Sequence, residues 1–191
     1  MSDGYDVAQL QSLEEGWFFY DHAWTLLFEI ARKVEGRSVL DVGCGTGLAL
    51  SVLRALFPWR VCRGIDPSGA AAPAWRARGI DADVGSADAL PYAAAAWDTT
   101  YCSHVLEHVA DDAASVREIL RVSRRRAIVA VPDGDVGAKN FGSPHVRVYD
   151  RKNFRKLIDG AAGPGDRVSV YSLPHVHMSN LVAIVDRCAA G

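Results

Sequence analysis

Along this chain, short unbroken apolar runs alternate with stretches in which apolar residues recur three or four apart. That is the pattern of β-strands alternating with amphipathic helices. The first helical stretch carries Trp17, Tyr20, Trp24, Leu27, Phe28, Ala31 and Val34 at helical spacing, with Glu29 and Lys33 paired one turn apart on another face and Gly36 as its end. Ser38 to Val42 reads as a buried strand that runs into a glycine-rich turn. A helix from about Thr46 to Phe57 then presents Leu48, Val52, Leu53 and Leu56, and Pro58 closes it. Val61 to Ile65 is the second strand, with Asp66 at its end and Pro67 expected to open the next helix. Ile80 to Val84 is a weakly marked third strand and Trp97 to Cys102 a fourth. Asp111 or Asp112 caps a helix whose face is Val116, Ile119 and Leu120. Ala127 to Val131 is continuously apolar, as a strand covered on both faces should be. Asp150 caps a further helix carrying Phe154, Leu157 and Ile158, with Tyr149 and Phe154 spaced as a hydrophobic staple. Two strands in succession, Arg167 to Tyr171 and Leu181 to Val185, then predict an antiparallel hairpin.

The alternation predicts an α/β fold with a mostly parallel sheet, helices on both faces and that hairpin at one side. At 191 residues the chain fits one compact domain, with residues 1–36 as a helical lid segment and residues 37–191 as the main body. Hydrophobic residues make up 49% and charged residues 23%, so the chain can bury a core without staples. A net charge of -2 gives no broad attraction to nucleic acid or anionic lipid. The basic run Arg124, Arg125 and Arg126 reads as a solvated turn. Cys44, Cys62, Cys102 and Cys188 have no paired spacing and read as reduced, mostly buried thiols. The start of the chain lacks a basic and apolar leader pattern, and no apolar run is long enough to span a bilayer, so the cytoplasm is the expected location and no membrane partner is expected.

The chemistry-bearing signal is Asp41-Val42-Gly43-Cys44-Gly45-Thr46-Gly47, where a strand ends, glycines turn sharply and a helix begins. Glycine permits the backbone angles and lets a ligand approach the main chain. A helix N-terminus offers unpaired N–H groups. Asp66 falls at the end of the next strand, where a carboxylate reaches a ribose in nucleotide-type folds. Asp88 follows in Ala87-Asp88-Ala89-Leu90-Pro91, placed to accept from an adenine amine. A dinucleotide fingerprint G-x-G-x-x-G would need a glycine where Leu48 stands, and Asp41 suits a cationic group better than a pyrophosphate.

These runs, followed by Val105-Leu106-Glu107-His108-Val109, resemble the type 11 family of class I S-adenosylmethionine (SAM) dependent methyltransferases over about residues 38–132. The resemblance implies a Rossmann-like seven-stranded fold and SAM as cofactor, with S-adenosylhomocysteine as product. It places Asp41, Gly43, Cys44, Gly45 and Gly47 around the methionine part, Asp66 and Pro67 at the ribose, Asp88 and Ala89 at the adenine, and Ser103 and His104 near the sulfonium.

His104-Val105-Leu106-Glu107-His108 also matches a zinc-protease pattern, H-x-x-E-H. That pattern requires a helix, whereas these letters follow a strand end, so no metal is expected. His175 and His177 read as a loop pair. Methyl transfer needs a general base only if the acceptor must lose a proton, and His104, His145 and Tyr149 are the candidates. Trp17, Tyr20, His22 and His145 are expected to contact the acceptor, with the first helix and the segment from residue 133 to 149 as lids. The expected acceptor is a small molecule. The alternatives are a protein or nucleic acid acceptor, or a catalytically silent cofactor-binding partner subunit.

Overall fold

The structure, a computed structural model, describes residues 21–58, 60–134, 145–175 and 178–188. Five helices flank seven strands among them: α1 (Asp21–Lys33), β1 (Ser38–Val42), α2 (Leu48–Leu56), β2 (Val61–Asp66), α3 (Ala72–Arg78), β3 (Ala82–Val84), β4 (Trp97–Ser103), α4 (Asp112–Val122), β5 (Ser123–Pro132), α5 (Arg151–Ala161), β6 (Arg167–Leu173) and β7 (Asn180–Asp186). The strands form one sheet in the order β3-β2-β1-β4-β5-β7-β6. The first five strands pair in parallel, while β7 runs antiparallel to both β5 and β6. This is the expected Rossmann-like α/β sheet with its C-terminal antiparallel hairpin.

Strand side chains alternate between the two faces. Leu40, Val42, Cys102 and Val129 join Val116, Ile119 and Phe154 of α4 and α5 in one core. Val39, Tyr101, Ile128 and Val182 join Leu26, Ile30, Leu50, Leu53 and Trp75 of α1 to α3 in the other. Helices therefore cover both faces, and the described part of the N-terminal segment packs on the sheet. Trp17 and Tyr20 lie outside the described residues; His22 falls in the first turn of α1, with its side chain outside them. Residues 135–144 of the expected second lid, and His177, also lie outside.

Several local expectations are corrected. The buried side of α1 is Leu26, Leu27, Ile30 and Ala31, with Val34 buried just beyond its end, while Phe28 is half exposed and lies near Trp24, ring centroids 6.2 Å apart. In α2, Leu50 and Leu53 are buried and Leu56 is exposed, because the helix begins at Leu48 after the left-handed Gly47. Pro67 does not open a helix. A short 3₁₀ turn covers Gly69–Ala71, and the proline in the first turn of α3 is Pro73. The arginine run is not a turn: β5 begins at Ser123, and the guanidinium groups of Arg124 and Arg125 pair with Asp98 while Arg126 pairs with Glu35 and Asp186. Of the four thiols, Cys188 is exposed and the other three are buried.

Candidate functional site

The ends of β1, β2 and β4 open onto one edge of the sheet, where ligands of α/β folds bind. The β1–α2 loop is tied to β2 by the N–H groups of Gly43 and Cys44, which donate to the Ile65 carbonyl at 2.8 and 3.1 Å. Gly43, Gly45 and Gly47 are all left-handed, with φ of 79°, 52° and 84°. A Cβ on Gly43 would stand 2.1 Å from Val105 Cγ2, so the segment after β4 lies directly against this turn. A Cβ on Gly45 would meet nothing within 4 Å, so that side of the loop faces open space.

Asp66 accepts from the Gly45 N–H at 2.9 Å and from the Ser68 N–H at 2.8 Å. Each oxygen keeps a further lone pair for a ligand hydroxyl. Burial pushes its carboxyl above the ordinary value, and these two N–H groups partly offset the rise. Asp41 is buried behind the loop and accepts from the Tyr101 hydroxyl at 2.6 Å, across the β1–β4 pairing. Burial pushes the Asp41 carboxyl up to about 8, with the Tyr101 hydrogen bond opposing and the Asp66 charge adding to the rise. Cys44 contributes main chain only. Its side chain is buried, its sulfur sits 2.5 Å from where a Cβ on Gly64 would be, and burial raises its thiol pKa.

Pro67 is exposed beside Asp66. Asp88 and Ala89 are exposed in the turn after β3. That turn is latched to α4: Glu118 accepts from the Leu90 N–H at 2.9 Å, and Arg121 donates to the Tyr92 and Leu90 carbonyls. Ser103 ends β4, and its buried hydroxyl has no hydrogen-bond partner among the described residues. His104 follows in a left-handed backbone, φ 56°, uncommon for a residue with a side chain. One of its ring nitrogens, Nε2, lies 2.8 Å from Asn180 Oδ1, and the other, Nδ1, lies 3.5 Å from Glu107 Oε1.

Tyr149 is tied into the fold. Its hydroxyl donates to Asp112 at 2.9 Å and lies 3.2 Å from the Leu106 carbonyl, and burial with the Asp112 contact raises its pKa. His145 sits edge-on to His108, ring centroids 5.1 Å apart. The segment 104–108 is a turn, with the His108 N–H donating to the Val105 carbonyl at 2.9 Å, so the helical protease arrangement is absent from it. A separate surface cavity of about 320 Å³, lined by Arg54, Arg60 and Arg78, includes none of these groups. Sequence reasoning missed Tyr101, Asn180 and the buried Glu107. For Tyr101 the signal was the one phenol on a strand otherwise rich in small hydroxyls, and for Glu107 a carboxylate between two histidines.

Residues 40–131 match the family model described as a methyltransferase domain. Over those residues the chain is similar to the type 11 methyltransferase family. The chain is 34% identical over 132 residues to an uncharacterized 37.1 kDa protein in transposon TN4556 of Streptomyces fradiae, covering 64% of this chain and 38% of that protein. It is 31% identical over 103 residues to ajmaline N-methyltransferase of Rauvolfia serpentina, covering 50% of this chain and 35% of that enzyme. The chain thus spans well under half the length of these curated relatives. The methyltransferase fold also matches a crystal structure from Thermotoga maritima, described as a SAM-dependent methyltransferase and possible histamine N-methyltransferase. The TM-score is 0.75 at 17% identity, covering 94% of this chain and 97% of that one.

Proposed function

We propose that this chain is a SAM-dependent methyltransferase acting on a small-molecule acceptor. The observation that carries the reading is the left-handed loop of Gly43, Gly45 and Gly47, open at Gly45 and joined to the Asp66 carboxylate at the ends of parallel strands. The residues present fit the cofactor: open space lies over Gly45, Asp66 keeps lone pairs for ribose hydroxyls, and the Ser103 hydroxyl lacks a protein partner among the described residues. Asp41 is a buried carboxyl whose ionised form a cationic ammonium would favour. When bound, SAM supplies a methyl group on a cationic sulfur that leaves as a neutral thioether.

The chain's own part is chiefly alignment. Asp66 holds the ribose, the glycine loop shapes the space for the methionine part, Asp88 and Ala89 border the adenine, and Ser103 and His104 face the transfer site. His104 is the base we assign where the acceptor must lose a proton, since Asn180 fixes the orientation of its ring. We read the protein as cytoplasmic; no helix among the described residues is long and apolar enough to cross a membrane. The small-acceptor reading is supported by the similarity to ajmaline N-methyltransferase.

Calorimetric titration with S-adenosylhomocysteine tests the reading. We expect saturable binding, at least tenfold weaker in Asp66→Ala, and no response to NADH. Tighter binding of NADH, or no binding of S-adenosylhomocysteine, would overturn it.

A further inference from the structure

Beside the loop that follows β4, three ligand-bearing side chains meet. One carboxylate oxygen of Glu107 and one ring nitrogen each of His108 and His145 all lie within 4.8 Å of one another. Glu107 is 1% exposed, yet neither of its oxygens has a hydrogen-bond partner among the described residues. A buried carboxylate without partners is costly. Its surroundings on the imidazole side are His108 Nε2 at 3.9 Å and His104 Nδ1 at 3.5 Å from the same oxygen, Oε1.

The cluster is built from two separate segments that the fold fastens together. The Val146 N–H donates to the Glu107 carbonyl at 2.9 Å. The Arg147 guanidinium donates to the carbonyls of Leu106, Val109 and Ala110 at 3.2, 2.6 and 2.9 Å. His145 is therefore carried against the 104–110 turn by main-chain contacts on either side of Glu107, and does not depend on a chance rotamer of a free loop. Such support around ligand side chains is what metal sites use to orient them.

We propose that Glu107, His108 and His145 bind a divalent transition-metal ion of the zinc class. Two imidazoles and one carboxylate favour such an ion over magnesium or calcium, which prefer all-oxygen shells. Bonds of about 2.0–2.1 Å place tetrahedral ligand atoms about 3.3 Å apart, so the three side chains close on the ion by small rotations. Three protein ligands leave a fourth position open to water or a ligand oxygen. A dication supplies the positive charge that this buried carboxylate, without hydrogen-bond partners among the described residues, lacks. The sequence pattern pointed elsewhere because it paired His104 with His108 on one helix. The fold instead turns His104 toward Asn180 and brings His145 from a distant segment.

The site stands independently of methyl transfer, so binding is read without any acceptor. Chelator-treated protein is titrated with Zn²⁺ by calorimetry, alongside Glu107→Gln, His145→Ala and Cys188→Ser, with circular dichroism to confirm folding. We expect one equivalent bound, at least tenfold weaker affinity in each of the first two variants, and unchanged affinity in Cys188→Ser. Co²⁺ loaded in place of Zn²⁺ should show ligand-field bands without a thiolate charge-transfer band. No Zn²⁺ uptake, uptake undiminished in either Glu107→Gln or His145→Ala, or a thiolate band that vanishes in Cys188→Ser would overturn the proposal. If Glu107→Gln does not fold, His145→Ala, which removes a half-buried imidazole, decides it alone.

Discussion

Gly43 and Gly45 stand two apart in one loop, yet a methyl group on each meets opposite surroundings. Both backbones are left-handed, which costs an ordinary residue about 1–2 kcal/mol. Gly43→Ala adds an overlap with Val105, so we expect a total loss of about 2–5 kcal/mol in stability. Gly45→Ala carries only the backbone cost, but its methyl group projects into the open space assigned to the cofactor. We expect a stability loss of about 1 kcal/mol with S-adenosylhomocysteine affinity reduced about tenfold or more. Urea unfolding paired with calorimetry on both variants checks this. Equal stability losses would show that the open face of the loop is not what the structure depicts.

The first turn of α5 shows how an element is anchored. Asp150 accepts from the Asn153 N–H at 2.7 Å, and the Asn153 side chain accepts from the Asp150 N–H at 2.9 Å. The Tyr149 and Phe154 rings meet edge to face, with centroids 5.6 Å apart. Asp150→Ala should lower stability by about 1 kcal/mol, seen as a lower urea midpoint with an unchanged slope. This cap was legible in the sequence, as were the succession of strands and helices and the glycine loop, because each depends on neighbouring residues. The arginine run was not, since its partners Asp98, Glu35 and Asp186 are brought to it only by the sheet. Of the expected inward face of α2, Leu53 is buried but Leu56 is exposed and Leu50 is buried instead; Leu48, Val52 and Leu56 recur four apart and so offer a competing apolar face. The links from His104 to Asn180 and from Glu107 to His145 join residues far apart in the chain, and no local pattern announces them.

At the scale of the whole molecule, a carboxyl buried in the middle of the sheet couples folding to pH. Asp41 is 2% exposed, and its pKa is raised to about 8. An acid with a raised native pKa holds its proton longer when folded than when unfolded. Unfolding therefore releases a proton between about pH 4, where an unfolded aspartate ionises, and about pH 8. Stability contributed by Asp41 falls as pH rises through that window and levels off above it, by at most about 1.4 kcal/mol per pH unit. Asp41→Asn keeps an acceptor for Tyr101 but cannot ionise, so its stability should gain on that of the parent chain as pH rises from 5 to 8. A constant difference across that range, measured by urea unfolding, would contradict a raised Asp41.

β7 lies between β5 and β6, although it follows both in the chain. While the chain is being synthesised, β5 must wait for it with one strand edge uncovered, and Ala127 to Val131 present five buried apolar residues there without a charge. That edge is a template for pairing with another nascent chain. Arg124, Arg125 and Arg126 stand at its entrance, where charges discourage such pairing. The same arginines that later pair with Asp98, Glu35 and Asp186 thus serve an earlier purpose, keeping each chain apart from its neighbours until its own β7 arrives.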